Sequence, residues 1–146
     1  MRLYLVQHGE AKSEDEDPER PLSDKGREEV EKVASGLKAS VSEILYSPKL
    51  RARQTAEIFS RRLKAPAREI EGIKPLDDAI IAKELVESQD KDLMLVGHLP
   101  HLDRLSSLLL AGDEEAGVVK FRMGGALCLI KEEKWRMEWF LVPELL

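Results

Sequence analysis

The sequence predicts an α/β protein, a three-layer α/β/α sandwich whose sheet is mostly parallel with an antiparallel edge. Three observations predict this fold class. Short apolar runs alternate along the chain with segments whose apolar residues recur at helical spacing. Two of the runs, at 3–6 and 93–96, are apolar throughout, which is typical of parallel strands buried on both faces. The last two predicted strands, at 126–130 and 135–142, are joined by a short polar turn, which favours an antiparallel pair.

Caps and apolar spacing define the individual elements. Ser23 is a good N-cap, and Pro48 and Pro100 are residues typical of a first helical turn. The strands are short runs rich in Leu, Ile and Val that end in Gly or polar residues. After the first strand, the predicted elements in chain order are an acidic loop at 13–21, a helix at 23–38, a strand at 44–46, a helix at 47–63, a strand at 68–73, a helix at 77–88, a strand at 92–98, a helix from 100 onward and the two closing strands.

Size and composition restrict the class of protein. The 146 residues are enough for one domain, so we expect a single domain over 1–146. The net charge of −5 argues against nucleic acid as the main partner, and no apolar run approaches the roughly 20 residues that span a membrane. The chain leads directly from Met1 into a strand, without a signal peptide, and its single Cys128 fits a reducing compartment. We therefore expect a cytoplasmic protein.

Three polar residues are predicted to meet at one edge of the sheet. His8 and His98 each follow a buried strand, and the carboxyl ends of parallel strands share an edge where ligands bind. Arg51 lies about one turn into the second predicted helix, near the same edge. The planar guanidinium of arginine matches phosphate oxygens bidentately and keeps its charge. Two histidines and an arginine therefore predict a phosphoryl-transfer site with no metal and no cofactor.

The motifs around these residues resemble those of a known family. The chain contains Gln7-His8-Gly9, then Ser-Pro-Lys-Leu-Arg-Ala-Arg-Gln-Thr-Ala at 47–56, and later Val-Gly-His-Leu-Pro at 96–100. In this order they resemble the histidine phosphatase superfamily, whose signature is Arg-His-Gly, a Ser-Pro-x-x-Arg-Ala-x-Gln-Thr-Ala helix and a late Gly-His. The small size and the Arg-Pro-Leu-Ser segment at 20–23 resemble the compact SixA-type phosphohistidine phosphatases.

The resemblance implies a phosphoglycerate mutase-like fold and assigns roles to the predicted site. His8 would attack phosphorus and become a phosphohistidine, which water would then hydrolyse. Arg51 would hold phosphoryl oxygens, and His98 would stabilise the charge of the transition state. The phosphate-binding residues would be Gln7, Gly9, Arg20 and His98. The expected partner is a histidine-phosphorylated protein, such as a phosphotransfer domain, or a small phosphorylated substrate.

Gln7 departs from the signature, because the family has an arginine before the nucleophile. A charge-assisted hydrogen bond contributes roughly 1.5–3 kcal/mol and a neutral one roughly 0.5–1.5 kcal/mol. Activity is therefore expected to be lower than with arginine. Three alternatives stay open at this point: a small-molecule phosphomonoesterase or mutase of the same superfamily, an impaired phosphoprotein-binding regulator, and a metal hydrolase that uses His8, His98 and His101.

The general acid is not fixed by the sequence. Larger superfamily members carry an acidic residue between the third strand and the third helix. The matching region contains Asp77 and Asp78, and Glu10 near the nucleophile is a further candidate. A phosphohistidine substrate reduces the need for an acid, because its leaving group is an imidazole with a reference pKa of about 6.5.

Overall fold

The structure is a computed structural model that describes every residue from Met1 to Leu146. It has six strands, four α-helices and a terminal 3₁₀ turn at Pro143–Leu145. In chain order the elements are β1 (Arg2–Gln7), α1 (Asp24–Gly36), β2 (Glu43–Tyr46), α2 (Leu50–Leu63), β3 (Ala67–Glu69), α3 (Ala79–Glu87), β4 (Leu93–Gly97), α4 (His101–Ala111), β5 (Ala126–Lys131) and β6 (Trp135–Leu141).

The six strands form one mixed sheet in the order β3-β2-β4-β1-β5-β6. The first four of these are mutually parallel, whereas β5 runs antiparallel to β1 and β6 runs antiparallel to β5. This confirms the predicted sheet with its antiparallel edge. Since β1 and β4 are adjacent and parallel, their carboxyl ends lie side by side.

Two apolar clusters, one on each face of the sheet, form the core. One contains Tyr4 and Val6 of β1 together with the buried faces of α1 and α2. The other contains Leu3 and Leu5 of the same strand with the buried faces of α3 and α4. Alternate residues of β1 thus contact opposite helical layers, as the two-residue period of a strand requires. The predicted three-layer arrangement is confirmed.

Two predicted boundaries were wrong. Helix α2 begins at Leu50 with Lys49 as its N-cap, not at Ser47, because the residue before a proline is disfavoured in helical conformation. Strand β3 is shorter than the predicted 68–73, because its only neighbour, β2, ends at Tyr46, which pairs with Glu69.

The other boundaries differ less. Helix α1 ends at Gly36 rather than near 38, and α3 begins at Ala79 because Asp78 is its N-cap. Cys128 is buried and unpaired. None of the helices has the length and apolar character needed to cross a membrane.

Candidate active site

The carboxyl edge of the central strands brings the two predicted histidines together. His8 directly follows β1 and His98 directly follows β4. Their ring centroids lie 5.1 Å apart, with the ring planes tilted by 58°. The amide of His8 donates to the carbonyl of Gly97 over 3.0 Å, which fixes His8 beside the end of β4. Convergence therefore follows from the pairing of β1 with β4.

His8 is held in one tautomer by its own chain. Its Nδ1 lies 2.7 Å from the carbonyl oxygen of Gly9. A carbonyl oxygen only accepts hydrogen bonds, so Nδ1 carries the proton and Nε2 keeps a free electron pair. Burial and, to a smaller extent, the nearby cations Arg51 and Arg20 lower the pKa of His8 to about 4, although the hydrogen bond to Gly9 acts in the opposite direction. At neutral pH this ring is uncharged, with the electron pair of Nε2 available.

Gly9 and Thr55 connect His8 to helix α2. The amide of Gly9 donates to Thr55 Oγ1 over 3.1 Å, and that hydroxyl donates to the carbonyl of Arg51 over 2.8 Å. Both backbone polar groups of Gly9 thus have partners inside the protein, and its carbonyl orients His8; the phosphate contact of Gly9 stays a prediction. A Cβ at Gly9 would lie 2.7 Å from Val30 Cγ2, which explains the glycine.

Two guanidinium groups next to His8 have no carboxylate partner. Arg51 is half-buried, its Nε is fully enclosed without a hydrogen-bond partner, and its pKa is lowered by burial and by Arg20. Arg20 uses only Nε, which donates to the carbonyl of Lys12 over 3.0 Å. Neither arginine belongs to an ion pair. Two unpaired cations at one place attract negative charge, which is the property that a phosphate site needs.

The segment that carries Arg20 is fixed at both ends. Lys12 donates its amide to the Pro21 carbonyl over 2.8 Å, which closes the acidic loop. The amide of Leu22 donates to Gln54 Oε1 over 2.8 Å, which ties the loop to α2. Arg20 itself has a φ of +52°, a left-handed conformation that is uncommon outside glycine and is often found at functional sites.

His98 has one ring nitrogen engaged and one free. Its Nε2 lies 2.8 Å from Ser47 Oγ, and its buried Nδ1 has no hydrogen-bond partner. Burial, followed by the positive or ionisable neighbours His8, Arg51, Lys49 and His101, lowers the pKa of His98 to about 3. Both histidines of the site are therefore neutral at pH 7.

Sequence reasoning missed three residues of the second motif. Ser47, Gln54 and Thr55 lie in the predicted helix at 47–63 and were given no role in the site, but each makes a hydrogen bond that orients the site. The Ser-Pro pair is the only local signal for Ser47, and it is equally typical of a helix cap. Its contact with His98 depends on β2 pairing with β4, which a local pattern does not contain.

Gln7 lies at the wall of an open groove beside the histidines. Its side chain makes no hydrogen bond, and Glu10, Leu99 and Arg122 line the same groove. Arg122 is engaged by carboxylates of Glu29 and of the C-terminal turn, at 3.1 and 2.8 Å. Its charge is therefore already neutralised and does not replace the arginine that is absent at position 7.

The three candidate acids all hold structural contacts. Asp78 caps α3 by accepting from the Ile80 amide over 3.0 Å, and Asp77 accepts from the Lys74 amide over 2.9 Å. Glu10 accepts from Ser23 Oγ over 2.8 Å. Glu10 alone of the three lines the groove next to Gln7.

His101 makes no hydrogen bond within the site, although it is close enough to His98 to lower the pKa of that ring. It lies in the first turn of α4, is fully buried, and neither ring nitrogen has a partner. Burial lowers its pKa, opposed by the nearby Asp77 and Asp78. The structure contains no group of three or more His, Cys, Asp or Glu side chains arranged to hold a metal ion.

Comparison with known proteins decides the family. Residues 3–77 match the sequence model of the histidine phosphatase superfamily (branch 1). The chain belongs to this superfamily. An uncharacterised protein of Picosynechococcus sp. is 32% identical to this histidine phosphatase, over 92% of this chain and 98% of that protein. The phosphohistidine phosphatase SixA of Escherichia coli K12 is 27% identical over 77% of this chain and 76% of its own length.

Solved structures agree with the predicted phosphoglycerate mutase-like fold. The protein histidine phosphatase SixA complexed with tungstate superposes with a TM-score of 0.86 at 24% identity, covering 99% of both chains. A mycobacterial glucosyl-3-phosphoglycerate phosphatase gives a TM-score of 0.79 at 17% identity, covering 97% of this chain and 99% of that one. The fold prediction is confirmed. The family match also confirms the prediction that the protein is a phosphatase.

Proposed function

We propose that this histidine phosphatase removes phosphate from phosphohistidine in a protein, through a covalent phosphohistidine on His8. The observation that carries the proposal is the pair of guanidiniums of Arg51 and Arg20, both without a carboxylate, beside two neutral imidazoles. The chain has 28 acidic and 23 basic residues, so leaving two neighbouring cations unpaired is not forced by a shortage of carboxylates. A phosphoryl group supplies the missing negative charge.

The first step transfers the phosphoryl group to the enzyme. The electron pair of His8 Nε2 attacks phosphorus in line, a new N–P bond forms, and the N–P bond to the substrate imidazole breaks. The substrate ring, protonated on its other nitrogen, keeps that electron pair and leaves as a neutral imidazole. Arg51 and Arg20 hold the non-bridging oxygens, and His98 donates to them through Nδ1, the ring nitrogen that is unoccupied inside the protein.

The second step restores the enzyme. Water attacks phosphorus, the bond to His8 Nε2 breaks, and inorganic phosphate leaves with the oxygen of that water. The hydrogen bond from Nδ1 to the Gly9 carbonyl keeps Nε2 directed at phosphorus throughout both steps. Because the pKa of His8 is about 4, the regenerated imidazole is neutral at pH 7 and ready for another turnover.

The contacts of the carboxylates support a phosphohistidine substrate. An alkoxide leaving group needs a proton donor, whereas an imidazole with a pKa of about 6.5 leaves without one. Asp77 and Asp78 hold backbone amides, and Glu10 holds a serine hydroxyl, so none of the three is free to act as a dedicated acid. The groove is open, and Gln7 and the exposed Leu99 line it. It therefore has room for a phosphohistidine that is part of a protein. The proposal includes a cytoplasmic location, which the single reduced thiol supports.

The test compares one phosphorylated protein with a panel of small esters. The protein substrate is a phosphotransfer domain phosphorylated on histidine, and the panel contains sugar and glycerate phosphates. We expect phosphate release from the phosphoprotein by the wild-type chain and none above background by His8→Ala. Turnover of the panel alone would overturn the substrate assignment. Tight binding of the phosphoprotein without turnover would show a regulator instead.

A further inference from the structure

We propose that Ser47 is a positioning residue whose hydroxyl donates to His98 Nε2 and so holds His98 as the neutral tautomer with its proton on Nδ1. This inference rests on the proposed function, in which Nδ1 of His98 contacts the phosphoryl group. It assigns Ser47 to the catalytic reaction, although its sequence context is typical of a helix start.

The backbone fixes Ser47 beside His98. Ser47 directly follows β2, and β2 pairs in parallel with β4, whose end leads into His98. The amide of Ser47 donates to the Val96 carbonyl over 3.2 Å, which anchors it to that neighbouring strand. Ser47 is completely buried, and the contact with His98 is its only side-chain hydrogen bond.

The direction of this hydrogen bond decides what Nδ1 can do. A neutral imidazole has one proton. If Nε2 donated to Ser47, Nδ1 would present an electron pair, which repels a phosphoryl oxygen. If Ser47 donates to Nε2, the proton is on Nδ1 and can be given to that oxygen. Only the second arrangement satisfies both ring nitrogens when an oxyanion is bound.

The two histidines of the site differ in how their tautomers are set. The partner of His8 is a carbonyl oxygen, which accepts only, so the backbone alone fixes that tautomer. The partner of His98 is a hydroxyl, which donates or accepts according to its rotation. The choice for His98 therefore depends on the side chain at position 47.

The groups around His98 keep it neutral. The titratable and charged groups that face it are His8 after β1, Lys49 and Arg51 at the start of α2, and His101 in α4. None of them is acidic. Together with burial, these neighbours place the pKa of His98 at about 3, so Ser47 faces a ring with a single proton at neutral pH.

The decisive readout is the protonation of each ring nitrogen by ¹⁵N NMR, with tungstate as a tetrahedral oxyanion in the site. The chain has only three histidines, so their signals are assignable with His→Asn variants. We expect a protonated Nδ1 and an unprotonated Nε2 for His98 in the wild type. In Ser47→Ala we expect His98 to lose this single tautomer, and kcat/KM on the phosphoprotein to fall about 10- to 100-fold, the usual cost of removing the partner that orients a functional histidine.

Ser106→Ala is the matched control. Ser106 is also a completely buried serine, but its hydroxyl donates to the Asp103 carbonyl of its own helix. The Ser106→Ala variant should leave the His98 signals unchanged and change kcat/KM by no more than about twofold, although it also loses a serine hydrogen bond. Ser47→Cys, which keeps the shape with a weak donor, should be intermediate in kcat/KM.

Two results would overturn the inference. One is a wild-type His98 that, with tungstate bound, is protonated on Nε2 or on both nitrogens, because Ser47 is then an acceptor. The other is a Ser47→Ala variant with an unchanged tautomer. The NMR readout needs no substrate, so it decides the role of Ser47 even if the protein fails to hydrolyse phosphohistidine, and failure of the proposed function is recognised separately.

Discussion

Acidification should destabilise this protein through His8, and the size of the effect follows from its surroundings. Burial and the two nearby arginines lower the pKa of His8 to about 4 in the folded chain, against about 6.5 when unfolded. Between these values the unfolded chain binds a proton that the folded chain does not. Stability contributed by neutral His8 is therefore complete above about pH 6.5 and is lost as the pH falls towards 4.

The expected magnitude is about 2 kcal/mol. A shift of this size corresponds to a maximum of about 3 kcal/mol, at about 1.4 kcal/mol per pKa unit. At about pH 4.5 the unfolded histidine is almost fully protonated and the folded one only about a quarter protonated. About two thirds of the maximum is then lost between pH 7 and about 4.5, with the rest lost below that range.

Urea unfolding of the wild type and of His8→Asn at both pH values isolates this contribution. Asparagine keeps an N–H group for the Gly9 carbonyl but does not titrate. Carboxylates and His101 titrate in both proteins and cancel in the difference, whereas His98, whose pKa is lowered in part by His8, changes the difference in the same direction. We expect the wild type to lose about 2 kcal/mol more than the variant on acidification. Equal losses would refute the inference that His8 is held neutral by burial beside two cations.

Three further changes test other parts of the site and fold. Gln7→Arg should raise turnover about 5- to 30-fold by restoring a charge-assisted contact, and unchanged or lower activity would mean that Gln7 belongs to a different working arrangement. Tungstate at about 100 times its Kd should raise the Tm by about 5–10 °C, and Arg51→Ala should abolish the rise; a full rise in the variant would exclude Arg51 from anion binding. Glu87, whose pKa is lowered to about 2 chiefly by Lys83, contributes stability that is lost as the pH falls from about 4.5 towards 2. Glu87→Gln should therefore lower the free energy of unfolding at pH 7 by about 1 kcal/mol, and the variant should lose less of this free energy on acidification. Urea titration measures both values, and a variant whose stability falls with pH as much as that of the wild type would contradict this.

The parts of the site that the sequence predicted are those that depend on single elements. His8 and His98 follow apolar runs whose identity as buried strands is clear from composition. Arg51 lies at the start of a helical segment that follows a strand, so its place near the strand ends could be predicted even though the helix begins at Leu50. The order of strands along the chain was enough to predict a shared edge for these residues.

The parts that were missed depend on contacts between elements distant in sequence. Ser47 contacts His98 across 51 residues, and Thr55 contacts Gly9 across 46. A serine before a proline and a threonine within a helix have the same local pattern whether they cap, pack or orient a catalytic group. The shortened β3 has a similar cause, because its length is set by the end of β2 and not by its own apolar run.

The most direct test of the central claim is to trap the phosphoryl group on the enzyme. The wild-type chain, mixed with a ³²P-phosphohistidine protein and quenched within milliseconds under alkaline denaturing conditions, should carry an acid-labile, base-stable label. Peptide mapping should locate that label on His8, and His8→Ala should carry none. Phosphate release without a labelled intermediate, or a label on a residue other than His8, would contradict the mechanism.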